Sequence, residues 1–251
     1  MQYVPGADFD KPIPGGLEQA SAAAADSDVI ILAVGEPPES ESEGDTNSLL
    51  LSDSQMALYD AVAAAGKPIV LLLIEPRPRI LGRVADGSSA IVMAYLPCYH
   101  GGQAIGEALV GLFSPSGRLP IEYPASSGDI DVYYRKPTSD YSQGTSSPTH
   151  SPLAGFGHGL TYGNITVDEL TLSANVVGPN DTVQATVKLT NRGKHATNFT
   201  LLAFGSQLYR ARITPEVEML RAFKRVDAIS PGQSITAAVP VKMSQFAYWD
   251  F

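Results

Sequence analysis

The stretch VIILAVGEPP, residues 29–38, joins an apolar run rich in Val and Ile to a Gly-Glu-Pro-Pro turn. Short apolar runs of this composition are typical of parallel β-strands that are buried on both faces. Comparable runs follow at residues 68–74 and 91–96. The sequence therefore predicts a parallel sheet, with Gly35 and Glu36 at the carboxyl end of its first strand.

Helical patterns separate these runs, as the crossovers between parallel strands require. Ser52 and Gln55 form a capping-box pattern, and Leu58 and Val62 share one face of the helix that follows. Residues 102–112 carry an apolar stripe that predicts a helix after the third strand. The alternation of strands and helices predicts an open, mostly parallel α/β sheet domain with three layers.

The composition of the chain changes near residue 125. Residues 126–150 are rich in Ser, Thr, Gly, Asp and Tyr without periodicity, which favours a linker and domain-packing segment over residues 126–163. Beyond it, β-branched runs separated by turns predict an all-β sandwich. The predicted organisation is therefore an α/β domain over residues 1–125, this linker, and a sandwich over residues 164–251.

The sandwich pattern contains several recognisable strands, which lie at residues 170–176, 182–190, 200–205, 220–226 and 234–241. Sandwiches of this length commonly have about seven strands. The sequence therefore predicts that the sandwich is truncated.

The charge and the polar motifs exclude several classes of partner. A formal net charge of −9 leaves no basic stripe for nucleic acid. The longest apolar runs are much shorter than the roughly 20 residues of a membrane span, so no membrane association is predicted. Cys98 is the only cysteine, the four histidines lack metal-ligand spacing, and no glycine-rich phosphate loop is present. The sequence predicts neither a metal site nor a cofactor.

The β-rich half carries N-x-S/T sequons at Asn164, Asn180 and Asn198. Such sequons accept glycans on the surface of secreted proteins. The opening residues show no basic segment followed by an apolar one, so no signal peptide is recognised in this chain. The sequons favour an extracellular, secreted glycoprotein.

A dense acidic segment follows the first predicted strand, where ligands of parallel sheets gather. Its carboxylates are Glu36, Glu39, Glu41, Glu43 and Asp45. Like charges and partial burial both disfavour ionisation, so such crowding can keep one carboxylic acid protonated for general acid catalysis. On spacing alone, a solvated acidic loop is the simpler interpretation, since structural charge clusters have the same spacing.

Several short motifs occur in an order that is specific to one enzyme family. They are Val34-Gly-Glu-Pro-Pro, Glu41-x-Glu-Gly-Asp45, Ala65-Gly-Lys-Pro-Ile-Val70, Arg77-Pro78, Ala94-Tyr-Leu-Pro97, Gly101-Gly-Gln-Ala-Ile105, Ser116-Gly-Arg-Leu-Pro120 and Phe156-Gly-His-Gly-Leu-Thr-Tyr162. Over nearly its whole length the chain resembles the C-terminal part of glycoside hydrolase family 3 β-glucosidases and exo-β-glucanases. The resemblance implies that the sandwich is fibronectin-III-like and that the α/β sheet is incomplete, because family members begin this domain upstream of Met1.

The resemblance also implies a reaction and the residues that carry it. In this family a barrel domain supplies an aspartate nucleophile, and a loop of the α/β domain supplies the glutamic acid/base of a retaining hydrolysis. By its position in the motif, Glu41 is the first choice for the acid/base. Glu36, which matches a different subgroup, is the second choice, and Asp45 and Glu43 are expected to shape the loop or bind substrate.

The implied partners follow from what this chain lacks. It has no room for the eight βα units, about 250 residues, of such a barrel, so the barrel is expected on a missing segment or separate chain. The substrate is expected to be a β-glucoside or β-glucan, and the chain alone is predicted to be inactive. Uncovered strand edges and an apolar barrel-facing surface also predict a homo-oligomer or a partner-dependent protein. The alternative is a non-catalytic carbohydrate-binding or interaction module derived from this family.

Overall fold

The structure is a computed structural model that describes residues 1–39, 41–129 and 152–249. The chain divides into two compact units, Met1–Ile105 with Pro124–Ile130, and Gly106–Tyr123 with Asp131–Phe251. Much of the predicted linker, residues 130–151, lies outside the described residues. The predicted domain limits at residues 125 and 163 stay predictions.

The first unit is built from alternating helices and strands. They are α1 (Gly16–Ala25), β1 (Ile30–Gly35), α2 (Asp53–Ala63), β2 (Ile69–Ile74), α3 (Arg83–Asp86), β3 (Ala90–Met93) and α4 (Gly101–Leu109), the last of which continues into the second unit. The strands form a parallel sheet in the order β1-β2-β3, in which Ile30 aligns with Ile69 and Val70 with Ala90. The structure confirms the predicted parallel α/β sheet.

The central strand β2 forms the centre of this unit. Leu71 and Leu73 are fully buried, and Val84 of α3 is buried as deeply. A central parallel strand is covered on both faces by helices, which explains why its sequence is continuously apolar rather than alternating. All three strand ends point in one direction, so β1 and β2 bring Gly35 and Ile74 side by side at the carboxyl edge.

Several details of this unit differ from the prediction, and β1 and β3 are not buried on both faces. The third strand ends at Met93 rather than at residue 96, because Tyr95 adopts a left-handed backbone with φ of 54° that a strand cannot accommodate. Ser52 caps α2 as predicted, since its hydroxyl accepts a hydrogen bond from the backbone N–H of Gln55 at 3.3 Å. The Gln55 side chain, however, bonds Gly35 and Phe9 rather than the Ser52 backbone N–H that a capping box would use. The helix α1 was not predicted, because its Ala-rich sequence has helical propensity without a marked apolar stripe.

The second unit is antiparallel in both of its sheets. Its strands are β4 (Ile165–Leu172), β5 (Thr182–Asn191), β6 (Thr197–Gly205), β7 (Met219–Ile229) and β8 (Ser234–Lys242). One sheet has the order β4-β5-β8 and the other pairs β6 with β7. The predicted all-β region is confirmed, with β4 starting and ending several residues earlier than the predicted 170–176.

Both sheets of this unit contribute to one apolar core. Leu189 and Val239 from the first sheet and Leu201 and Ile229 from the second are buried in the same cluster. This arrangement follows from the alternation of inward and outward side chains along each strand. In the described part of the chain, none of the helices is both long and apolar enough to cross a membrane.

Candidate functional site

The candidate site begins where β1 ends, at Gly35. The backbone N–H of Gly35 donates to the Gln55 Oε1 atom at 2.8 Å, and the Gln55 Nε2 atom donates to the Gly35 carbonyl at 2.9 Å. The same Nε2 atom donates to the carbonyl of Phe9 at 2.8 Å. A Cβ atom at Gly35 would lie 1.9 Å from the Ile74 carbonyl oxygen, so this approach of backbone to backbone requires glycine.

Glu36, the next residue, turns its carboxylate into the protein. It is 6% exposed. The Arg77 Nε atom lies 3.0 Å from its Oε1 atom, and the guanidinium of Arg79 forms an ion pair with its Oε2 atom. Each carboxylate oxygen therefore meets one guanidinium group, an arrangement that favours the charged carboxylate and compensates its burial.

The two arginines belong to the segment Glu75-Pro-Arg-Pro-Arg79, which directly follows β2. Prolines fix their own φ and restrict the preceding residue to extended conformations, so this segment is stiff. Glu75 is fully buried and accepts a hydrogen bond from the Arg79 backbone N–H at 3.3 Å. Burial of the Tyr95 hydroxyl, and then the negative charge of Glu75, raise the pKa of Tyr95.

The rest of the acidic loop is exposed and carries the first-choice residue. Glu41 precedes a short 3-10 turn, Ser42–Gly44, in which the Gly44 N–H donates to the Glu41 carbonyl at 2.9 Å. Among the described residues, none forms an ion pair or side-chain hydrogen bond with the Glu41 carboxylate. Both arginines also bond the backbone of this loop: Arg77 donates to the Gly44 carbonyl, and the Arg79 Nη1 atom donates to the Ser48 carbonyl at 2.9 Å.

The structure therefore separates the five carboxylates into two groups. Glu36 alone is buried, while the others are exposed, namely Glu39, Glu41, Glu43 and Asp45. The partial burial expected for the acidic loop is thus found only at Glu36, where arginine compensates it.

Three residues that hold this site were missed as site residues in the sequence. In the sequence, Arg77 stands out only within the Arg77-Pro78 motif, Gln55 only as a helix-cap residue and a member of the family-like acidic-loop motif, and Arg79 not at all. A usable signal was present in the alternation of Glu75, Arg77 and Arg79 with prolines immediately after a buried strand, because charged residues at the end of such a strand need partners if they are buried.

A cleft of about 270 Å³ lies beside the end of β1. Its lining residues are Ala7, Asp8, Phe9, Ala33, Val34, Gly35, Gln55, Leu58 and Ile74. Glu41 is not among them, so the cleft and the exposed carboxylate are separate features. Within the described ranges, His, Cys, Asp and Glu side chains form no group suited to a metal ion.

Comparison with known proteins identifies relatives along nearly the whole chain. The lysosomal beta glucosidase of Dictyostelium discoideum is 35% identical over 263 residues, which covers 99% of this chain and 31% of the relative. The periplasmic beta-glucosidase of Salmonella typhimurium is 31% identical over 246 residues, which covers 93% of this chain and 32% of the relative. The chain thus spans about a third of the length of the curated relatives it matches.

A solved structure agrees with this relationship. The crystal structure of a beta-glucosidase from Listeria innocua in complex with glucose matches with a TM-score of 0.82 and 25% identity, over 94% of this chain and 34% of that chain. The model of the glycosyl hydrolase family 3 C-terminal domain matches residues 10–162, more than half of the chain. The chain therefore belongs to glycosyl hydrolase family 3, of which it contains the C-terminal domain.

Proposed function

We propose that this chain supplies the general acid/base carboxylate of a retaining β-glucosidase or exo-β-glucanase, and that Glu41 is this residue. The observation that carries the proposal is the contrast between the two candidate acids. Glu36 is buried between two guanidinium groups, whereas Glu41 is exposed at the carboxyl edge of the sheet without a described partner. A general acid must reach the leaving oxygen of its substrate and give up a proton, which an exposed carboxyl can do.

The reaction needs a second carboxylate that we place on another segment or chain. A retaining hydrolysis uses two carboxyl groups about 5 Å apart, one as the nucleophile and one as the acid/base. The exposure of Glu41 leaves room for such a partner surface. By the family resemblance, the partner is a barrel domain with an aspartate nucleophile, and the antiparallel second unit is a fibronectin-III-like sandwich.

The proposed substrate is a β-glucoside or a β-glucan. Two relatives support this class, since the Dictyostelium and Salmonella proteins are beta-glucosidases by name. The Listeria structure contains glucose. Glu43 and Asp45 follow the proposed acid in the same loop, and we assign them to loop shape or substrate contact.

A chimera tests the role of Glu41. This chain replaces the matching third of the Dictyostelium enzyme, and kcat/KM is measured with phenyl and dinitrophenyl β-glucosides. Glu41→Gln is expected to lower kcat/KM for the phenyl glucoside by about 10²–10⁴-fold. It should affect the dinitrophenyl glucoside far less, because that leaving group departs without protonation. The exposed Glu18 provides the matched control, and Glu18→Gln should change neither rate.

The outcomes separate the alternatives. The same selective loss in Glu36→Gln, with none in Glu41→Gln, would move the acid to Glu36. An active chimera in which neither variant shows a selective loss would contradict an acid on this loop. Sugar binding by the chain together with an inactive chimera would favour a non-catalytic carbohydrate-binding module. The isolated chain is expected to show no turnover, since it lacks the nucleophile.

A further inference from the structure

The connection between the buried ion pair and the exposed loop runs through one side chain. The Arg77 guanidinium contacts the Glu36 carboxylate and the carbonyl oxygen of Gly44. The N–H of Gly44 in turn donates to the carbonyl of Glu41. The buried Glu36 carboxylate is therefore linked to the backbone of Glu41 by three hydrogen bonds.

The geometry of arginine suits this bridging position. Its planar guanidinium presents several donors in a fixed fork, so one group can bond a carboxylate and a carbonyl at the same time. The chain bends at Pro76 and Arg77, and the prolines on both sides of Arg77 restrict the backbone there, which limits the directions that the side chain can take. Arg79 shares the contact with Glu36, and its Nη1 atom also donates to the carbonyls of Ser48 and Leu50.

Most of this turn is exposed to solvent. Glu41, Ser42 and Glu43 are exposed, and Ser42 holds a left-handed φ of 52° that an L-residue adopts only when its surroundings impose it. The glycine at position 44 fits closely, because a Cβ atom there would lie 2.2 Å from the Glu39 carbonyl oxygen. The turn is therefore compact, and the Arg77 guanidinium bonds the Gly44 carbonyl within it.

We propose that Arg77 is a positioning residue for Glu41, an inference that rests on the proposed role of Glu41 as the acid/base. The Arg77 guanidinium bonds both the buried Glu36 carboxylate and the Gly44 carbonyl. By fixing this turn, Arg77 sets the direction in which the Glu41 side chain leaves the loop. Removing Arg77 leaves the acid present and frees its position. Catalysis by a positioned acid depends steeply on such placement.

The first test uses the full chain alone and needs no activity. Heteronuclear NMR order parameters of the Gly44 and Asp45 amides are compared between the wild type and Arg77→Gln. They should fall from about 0.85, typical of a rigid backbone, to below about 0.6. The amides of Leu71 and Leu73 in β2 should keep their values. Unchanged order parameters at Gly44 and Asp45 would overturn the inference.

A matched control and a second variant keep this test decisive. Arg83 pairs with Asp60 on the exposed surface of the same unit, so Arg83→Gln also removes a guanidinium from an ion pair. It should leave the Gly44 amide unchanged. If Arg77→Gln does not fold, Arg77→Lys replaces it, because lysine keeps the charge near Glu36 without a fork that also reaches Gly44. Its Gly44 amide should again become mobile.

The second test measures the leaving-group dependence in the chimera. Arg77→Gln should lower kcat/KM for the phenyl glucoside about tenfold or more and affect the dinitrophenyl glucoside less, as Glu41→Gln does. A merely structural defect would slow both substrates alike. A selective loss in Glu41→Gln but an equal loss in Arg77→Gln would overturn the positioning role and leave the proposed function intact. The absence of any selective loss in Glu41→Gln would overturn the proposed function itself.

Discussion

Glu36 and Asp168 are carboxylates that pair with arginine, one in each compact unit, and their surroundings differ. Glu36 is buried, and its partners are two guanidinium groups. Asp168 lies at an irregularity of β4 with its side chain 22% exposed, and it accepts hydrogen bonds from the hydroxyls of Thr166 and Thr190 and from Arg192. Both are well satisfied, but only Glu36 has been removed from water.

Burial decides what each cluster does for the protein. A buried carboxylate loses its hydration at a cost of several kcal/mol, so the structure around it is constrained to keep its partners in place. An exposed carboxylate keeps water as an alternative partner, and its ion pairs contribute little to stability. The comparison predicts that the Glu36 cluster anchors the acidic loop, whereas the Asp168 cluster adjusts the surface of a sheet.

The largest effect on stability is expected for Glu36→Gln. The substitution places a neutral amide beside two guanidinium groups in a buried site, which leaves their charges without a carboxylate. The free energy of unfolding should therefore fall by about 3–5 kcal/mol. Urea unfolding of the full chain measures it. The control is Asp60→Asn, which weakens an exposed pair with Arg83 and should cost about 1 kcal/mol or less. Equal effects of the two substitutions would contradict the contrast between buried and exposed carboxylates.

A smaller loss of folding stability is expected when a neutral buried side chain is removed from the same carboxyl edge of the parallel sheet. Gln55→Ala removes the side chain that bonds the N–H and the carbonyl of Gly35, and it leaves the Phe9 carbonyl with the Ser52 hydroxyl as a donor. The cost should be about 1–3 kcal/mol, since no uncompensated charge remains. The exposed Gln19 of α1 provides the control, because Gln19→Ala removes the same side chain from a solvated helix position. A loss as large as that of Glu36→Gln would show that charge is not what distinguishes this site.

The sequence predicted the elements of both units because their patterns are local. Continuous apolar runs at residues 30–35 and 69–74 can be recognised without knowledge of what covers them. The alternation along β5 and β8 is equally local. The helix α1 was missed because alanine gives propensity but little contrast between faces.

The candidate site was only partly predictable, because its contacts join residues far apart in the sequence. Five carboxylates are visible in the acidic segment, but nothing in their spacing indicates which one meets Arg77 and Arg79, some 40 residues later. The role of Gln55 was equally hard to predict, since its backbone N–H bonds the helix cap while its side chain bonds Gly35. Long-range pairing depends on which strand ends lie side by side, and the strand order became known only from the structure.

The smallest effect on folding stability is expected for the loss of the Asp168 charge. This effect can be recognised by its dependence on pH. The Thr190 hydroxyl, the Arg192 guanidinium and the Thr166 hydroxyl lower the pKa of Asp168 to about 2, from an ordinary value of 3.8. A carboxyl whose pKa is depressed by folding contributes stability above its unfolded pKa, and this contribution is lost as the pH falls through the folded value. The contribution of Asp168 should therefore be complete above about pH 5 and disappear towards pH 2.

Asp168→Asn tests this window because asparagine keeps the shape of the side chain without its charge. The wild type should unfold at a higher temperature than Asp168→Asn at pH values above about 5, and the two melting curves should converge as the pH falls towards 2. The control is Asp227→Asn on β7, where Asp227 and Arg225 are both more than half exposed. Because water screens that pair, its loss should change the melting temperature less than Asp168→Asn does at pH values above about 5. A difference between wild type and Asp168→Asn that grew towards low pH would have the wrong sign for a depressed pKa, and would mean that the hydroxyls of Thr166 and Thr190 do not hold the charged form.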